Sequence, residues 1–210
     1  MATDAVPGSN SADSLAGREQ GERADAARNR AKILAAAEKL VAARGVDWSM
    51  YDVARAAGVG VGTIYRRFGG QAGLIQSLMD EREDALQQAM TTGPPPLGPG
   101  ARPVERIRAF LHAYVDLLDT YGPLMATAEA AMSSARRFRT GPYAVHQRHL
   151  ATLIAEIDPS ADANFLADAL LAPLAAGLFT FQRYDEASSI ERIKSGMDAL
   201  LAGIESMESH

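Results

Sequence analysis

The sequence predicts an all-α protein of about nine helices in two unequal blocks. Three observations carry this. Apolar residues recur every three or four positions from Ile33 onward and nowhere alternate as on a half-buried strand. The run Thr91-Thr92-Gly93-Pro94-Pro95-Pro96-Leu97-Gly98-Pro99-Gly100 divides the chain, because proline lacks an amide donor and favours extended backbone. Hydrophobic residues make up 47% of the 210, enough to build a core in each block.

Residues 1–24 are rich in Gly, Ser, Ala, Asp and Glu, with Val6 and Leu15 the only large apolar side chains. Such a segment cannot offset the entropy of ordering and is expected to be a disordered tail. A first helix then carries Ile33, Leu34, Ala37, Leu40 and Val41 on one face and ends near Arg44-Gly45, where glycine accepts the left-handed conformation of a helix terminus. Two short helices follow, then a longer one with Leu74, Ile75, Leu78, Met79 and Leu86. This gives a small domain over 25–80.

The remainder, 81–210, is expected to be a larger helical domain. Its amphipathic segments are Val104 to Tyr121, Pro123 to Ser133, Tyr143 to Ile157, Asp162 to Arg183 and Ser188 to Ile204. Pro173 should kink the fourth of these or mark a local break.

The charge is unevenly spread. The whole chain carries −5, yet between Arg23 and Arg82 ten Lys or Arg face six Asp or Glu, a net of +4, leaving −9 elsewhere. A basic N-terminal block suits a polyanionic partner, and an acidic remainder keeps the chain soluble. The absence of cysteine removes disulfides, zinc fingers and thiol nucleophiles. No stretch reads as a membrane span or a signal peptide, so no membrane partner and a cytoplasmic location are expected.

The most informative stretch is Ser49-Met50-Tyr51-Asp52-Val53-Ala54-Arg55-Ala56-Ala57-Gly58-Val59-Gly60-Val61-Gly62-Thr63-Ile64-Tyr65-Arg66-Arg67-Phe68. Ser49 can cap the first short helix, with Asp52 three residues on completing a variant capping box. Ala54 and Gly58 supply the small residue and the flexible corner that two steeply crossing helices need. Val53, Ala57, Ile64 and Phe68 then face a shared core. Small, hydroxyl-bearing and cationic side chains are left outward, a composition suited to close approach to a nucleic-acid groove.

Together with its flanking helices, over roughly residues 28 to 80, this stretch closely resembles the DNA-binding domain of the TetR family of repressors. The resemblance rests on Asp52 to Val59, Gly62 to Phe68, and Leu74 at the usual distance. It implies an N-terminal three-helix helix-turn-helix domain joined to a C-terminal helical bundle that binds a ligand and dimerises. By the same resemblance Thr63 and Tyr65 contact phosphates, and Gly60, Val61, Gly62 and Arg66 lie at or near base edges. Ser49, Met50, Arg67 and Gln71 complete the expected DNA-facing set. One departure is Gly69-Gly70-Gln71, where family members often carry a lysine; the glycine amides could meet a phosphate instead.

Competing readings fail on context. Gly58-Val59-Gly60-Val61-Gly62 is not a dinucleotide loop, because no buried strand precedes it. His146 and His149 lack further ligands at metal-site spacing, so no metal is expected. Glu129, in the mostly apolar stretch Leu124 to Met132, reads as a polar group in a pocket rather than a catalyst, and neither enzyme activity nor a cofactor is expected. Arg136-Arg137-Phe138-Arg139 reads as a surface loop.

In the C-terminal block, Leu111, Tyr114, Leu118, Met125, Met132 and His146 around Glu129 are the expected lining for a small, largely apolar effector. The surplus apolar face of the last two segments, Leu170, Leu174, Leu178, Phe181, Ile193, Met197, Leu200 and Leu201, is expected to pair with the same face of a second copy. A homodimer would read a near-palindromic operator in double-stranded DNA. The expected function is a regulator, a repressor released by its effector; the alternative is an activator or architectural protein without ligand control.

Overall fold

The computed structural model describes residues 10–45, 47–130, 133, 138, 139 and 141–205, and among these it contains helices and no strand. In order they are α1 (Asn10–Arg44), α2 (Met50–Ala57), α3 (Val61–Phe68), α4 (Gln71–Thr92), α5 (Pro103–Ala130), α6 (Pro142–Ile157), α7 (Ala163–Leu171), a 3₁₀ turn (Ala172–Leu174), α8 (Ala176–Thr180), a wide π turn (Phe181–Asp185) and α9 (Ile190–Glu205). The chain divides into two compact units, Met1–Leu78 and Met79–His210, with the division falling inside α4.

The first unit is organised by Ile33, Leu34, Ala37 and Val41 of α1, which bury together with Trp48, Met50, Val53, Ala54, Ile64, Leu74 and Leu78. α1 ends as expected. The Gly45 amide reaches the Val41 carbonyl at 2.8 Å with φ +59°, and Trp48 Nε1 donates to the Gly45 carbonyl at 3.0 Å. Its beginning differs from the expectation, for the helix starts at Asn10, inside the segment assigned to a tail. Among the described side chains of α1 the buried ones begin at Ile33, and propagation of a helix through Ala, Glu and Arg from a nucleus packed there costs little. Residues 1–9 lie outside the described residues.

The second unit packs around α5, whose Ile107, Phe110, Leu111, Val115 and Leu118 are fully buried against Leu150, Leu153 and Ile154 of α6, Leu170 and Leu171 of α7, Phe179 of α8 and Leu201 of α9. α5 corrects one expectation, because Val104 to Tyr121 and Pro123 to Ser133 are not two helices: one helix runs from Pro103 to Ala130 with Pro123 inside it. The residue before a proline is restricted mainly through its Cβ, and here that residue is Gly122. A Cβ at Gly122 would also lie 3.2 Å from Thr180 Oγ1 and 3.4 Å from the Phe179 ring, so the same glycine lets α5 and α8 approach.

The segment expected as one kinked helix from Asp162 to Arg183 is broken where Pro173 stands. Asp162 caps α7 through the Phe165 amide at 3.1 Å, the chain tightens into the 3₁₀ turn, and Ala175 (φ −57°, ψ 127°) leaves the helical region before α8 restarts. By length and composition Ala163–Asp185 could cross a membrane, a property the sequence reading overlooked. The break at Pro173 interrupts that length; Ala167, Leu170, Leu171, Leu174, Ala176 and Phe179 of it are buried core, while Phe165, Leu178, Phe181 and Tyr184 are exposed. Side-chain pairs tie this end to α5: Arg183 to Asp119 at 2.7 Å, the Tyr184 hydroxyl to the Asp119 carbonyl at 2.7 Å, and Lys194 to Asp116 at 2.6 Å.

Candidate nucleic-acid interface and cavity

α2 and α3 are set by their ends. The Asp52 amide donates to Ser49 Oγ at 3.2 Å while the Ser49 amide and hydroxyl donate to Asp52 Oδ2 at 2.9 and 2.7 Å, a complete capping box. Arg55 closes on Asp52 Oδ1 at 2.7 Å. These hydrogen bonds from Ser49, against a smaller opposing effect of burial, hold the Asp52 carboxyl below the usual aspartate range, so it stays anionic at the positive helix end. Gly58 ends α2 in the left-handed region (φ 67°), and the Val59 amide returns to the Ala54 carbonyl at 3.1 Å. α3 begins two residues later, the Thr63 amide bonding the Gly60 carbonyl at 2.9 Å.

With Val53 and Ile64 wholly buried, the outward face of α3 is fixed. Gly62, Tyr65, Arg66 and Arg67 are exposed, Tyr65 by 47%, and Val61 and Thr63 are half-buried at its N-terminal end. Arg67 also reaches back to the Ala26 carbonyl at 2.9 Å, which steadies it against α1.

Three expectations change here. Met50 is 4% exposed: as the first residue of α2 its side chain turns inward, so it supports the motif instead of meeting a ligand. Gln71 donates to the Trp48 carbonyl at 3.2 Å, an internal tie. The Gly69 amide is taken by the Tyr65 carbonyl at 2.8 Å and so closes α3. Tyr51, 66% exposed beside the capping box, went unread; a large aromatic on the outer side of a short capped helix was the available signal.

In the second unit a cavity of about 760 Å³ is lined by Tyr114 of α5, Glu129 near its end, Phe138, Tyr143, His146 and Gln147 at the start of α6, and Asp168, Leu171, Ala172, Leu174 and Ala175 around the Pro173 break. Of the expected lining, Tyr114, Glu129 and His146 are there. Leu111 and Leu118 are buried core and Met125 packs against that core; Met132 lies outside the described residues. Phe138 lines the cavity, so the stretch read as a plain surface loop contributes to it; Arg136 and Arg137 lie outside the described residues. Tyr143 donates to Asp168 Oδ1 at 2.7 Å, and its ring meets that of Phe138 edge-on at 4.9 Å. His146 is buried, with Nε2 2.8 Å from Glu83 Oε1 and its ring against Tyr114 at 4.9 Å.

The expected dimer set separates by burial. Leu170, Leu174, Met197 and Leu201 are internal, part of the unit's own core. Leu178, Phe181 and Leu200 are exposed, at 44%, 49% and 49%, and Ile193 is half-buried. Phe165 and Tyr184 add to the exposed apolar surface.

A capped pair of short helices with an exposed, partly cationic second member defines a helix-turn-helix DNA-binding domain, here followed by a helical unit with a cavity. Residues 33–78 match the family described as bacterial regulatory proteins, tetR family. The HTH-type transcriptional regulator SAR0097 of Staphylococcus aureus (strain MRSA252) is 41% identical over 68 residues, 31% of this chain and 35% of that one, so the match spans about a third of that relative's length. Among solved structures, the TetR transcriptional regulator SCO0520 from Streptomyces coelicolor is 26% identical with a TM-score of 0.56, covering 83% of this chain and 97% of its own. AibR, in complex with isovaleryl coenzyme A and operator DNA, is 21% identical with a TM-score of 0.52, covering 81% and 95%. Residues 33–78 thus match the tetR-family model by sequence, and the chain is similar in fold to solved TetR-family regulators.

Proposed function

We propose that the protein is a sequence-specific DNA-binding transcriptional regulator, a repressor released from its operator when a small molecule occupies the cavity of the second unit. The observation that carries the first part is the outward face of α3. Its exposed backbone at Gly62 permits close approach to a groove floor, Thr63 and Tyr65 offer hydroxyls for phosphates, and Arg66 can bridge the acceptors of a guanine. Ser49, the cap of α2, and Tyr51 within it are also exposed. The likeness to a structure holding both operator DNA and a ligand supports the pairing of the two activities.

Leu178, Phe181 and Leu200 give the second unit an apolar face suited to a second copy, and a two-fold homodimer would carry two recognition helices to half-sites about one helical turn apart or a small multiple. The cavity is of ligand size. An effector that binds better when the two recognition helices are wrongly spaced shifts the population away from the DNA-bound form.

Selection of bound duplexes from a random pool by the full-length protein tests the reading. A near-palindrome with regularly spaced half-sites is the expected result; recovery of unrelated sequences would overturn it.

A further inference from the structure

Among the exposed side chains of α3, Arg67 differs from its neighbours. Its Nη1 donates to the Ala26 carbonyl of α1 at 2.9 Å, a contact between residues 41 positions apart. Tyr65 and Arg66 make no side-chain hydrogen bond or ion pair among the described residues. α3 has eight residues, and Ile64 is the one side chain of it that is wholly buried. A single buried point leaves a short helix able to swing about that point, so its direction depends on what holds its ends. At the C-terminal end two contacts do this. A Cβ at Gly73 would collide with the Phe68 carbonyl, so the first turn of α4 rests on the last residue of α3. Arg67, about one turn beyond Ile64, adds the hold on α1. Ala26 lies about 10 Å along α1 before Ile33, where burial begins, and the side chains from Arg23 to Asn29 are all exposed.

From this we infer that Arg67 is a positioning residue, and that the part of α1 before Ile33 is the strut against which it aims the recognition helix. Arg67 then acts through the Ala26 carbonyl and not by touching DNA, which removes it from the DNA-facing set. This role rests on the reading of α3 as the recognition helix and adds what sets its angle in the groove. Hydrogen bonds to base edges depend steeply on geometry, whereas attraction to the phosphates is independent of sequence. Loss of the brace therefore falls on specific binding.

Arg67→Met removes the guanidinium donor and keeps an apolar stem. Asn29→Pro leaves the charge unchanged and breaks the turn of α1 that presents the Ala26 carbonyl, ahead of the buried part of the helix. Fluorescence anisotropy over a salt series reads the affinity of the full-length protein for its selected operator and for a random duplex. Each variant should weaken operator binding about fivefold and keep random-duplex binding within about twofold, with the salt slope unchanged. The double variant should lose no more than the larger single loss, because both changes remove one interaction. Melting temperatures should stay near that of the parent. A slope shallower by about 0.9 in Arg67→Met, with equal losses on both duplexes, would make Arg67 a phosphate contact and overturn the inference. Additive losses in the double variant, or operator binding by Arg67→Met as tight as the parent's, would overturn it too. So would a lowered melting temperature with an unmoved ratio of the two affinities, the mark of a merely structural contact. A parent that does not distinguish the two duplexes would overturn the reading of α3 itself, and the brace with it.

Discussion

His146 of α6 and Glu83 of α4 form a buried pair, Nε2 to Oε1 at 2.8 Å, with the side chains 1% and 13% exposed. Gln87 adds a hydrogen bond to the same Glu83 oxygen at 2.6 Å. Burial raises the Glu83 pKa, but the hydrogen bond and charge of His146 and the hydrogen bond from Gln87 outweigh it and hold the carboxyl below the ordinary glutamate range. Removing one partner strands the other in the interior. Glu83→Ala should therefore destabilise the protein by about 3 kcal/mol, visible in urea unfolding at neutral pH. The double change Glu83→Leu with His146→Leu, which leaves no polar group stranded, should cost clearly less.

His149, one turn along α6, behaves oppositely to a paired histidine. Burial, then Arg106 and His146, push its imidazole down to about 4 from an ordinary value near 6.5, and its Nε2 is buried without a hydrogen-bond partner. Between those two values the unfolded chain binds a proton that the folded protein refuses, so stability falls as pH falls through that window. Glu83, whose folded pKa is depressed, withdraws its own contribution at lower pH, below its ordinary value of 4.5. His149→Leu should remove about 2 kcal/mol of the acid-induced loss at about pH 4.5 and flatten the upper window. Melting temperature against pH for the two proteins checks this; parallel curves would contradict it.

Gly62 separates folding from binding. A Cβ there meets nothing within 4 Å, so alanine should fit and, by helix propensity, raise stability by up to about 1 kcal/mol. A leucine should fold equally well but hold the α3 backbone off the groove floor and lower operator affinity tenfold or more, about 1.4 kcal/mol. Thermal melts and fluorescence anisotropy on one operator duplex read both effects.

The exposed apolar face of the second unit makes its own prediction. Leu178→Glu combined with Phe181→Glu removes two large apolar side chains from that surface without entering the core, since both are more than two-fifths exposed. Sedimentation should shift from dimer to monomer, with helical content retained and operator affinity reduced. A dimer that survives both substitutions would put the interface elsewhere.

How much could be read in advance follows from how local each feature is. The Ser49–Asp52 box and the Gly58 corner are contiguous, and their chemistry dictates their geometry before any packing is known. The break at Pro173 was legible for the same reason, whereas Pro123 stays inside α5, where the Asp119 carbonyl that lacks its helical donor accepts from the Tyr184 hydroxyl, a partner distant in sequence. Burial was harder. Leu174 and Leu178 lie one helical turn apart in sequence, but the non-helical Ala175 between them sends one inward and leaves the other exposed. The cavity draws on α5, α6, α7 and the turn beyond, so Asp168 and Tyr143 come together only in three dimensions; Tyr114, Glu129 and His146 were found because each lies on an apolar helix it does not match.

The most direct test of DNA recognition by α3 is the salt dependence of operator binding, measured by anisotropy for the full-length protein and for Tyr65→Ala and Arg66→Ala. The parent should bind its selected duplex with a steep negative slope of log affinity against log salt. Tyr65→Ala should weaken binding to specific and random duplexes alike, whereas Arg66→Ala should lose about 1–3 kcal/mol mainly on the specific one, both with unchanged melting temperature. Variants that bind the selected operator as tightly as the parent, at every salt concentration, would contradict the assignment of α3 as the recognition helix.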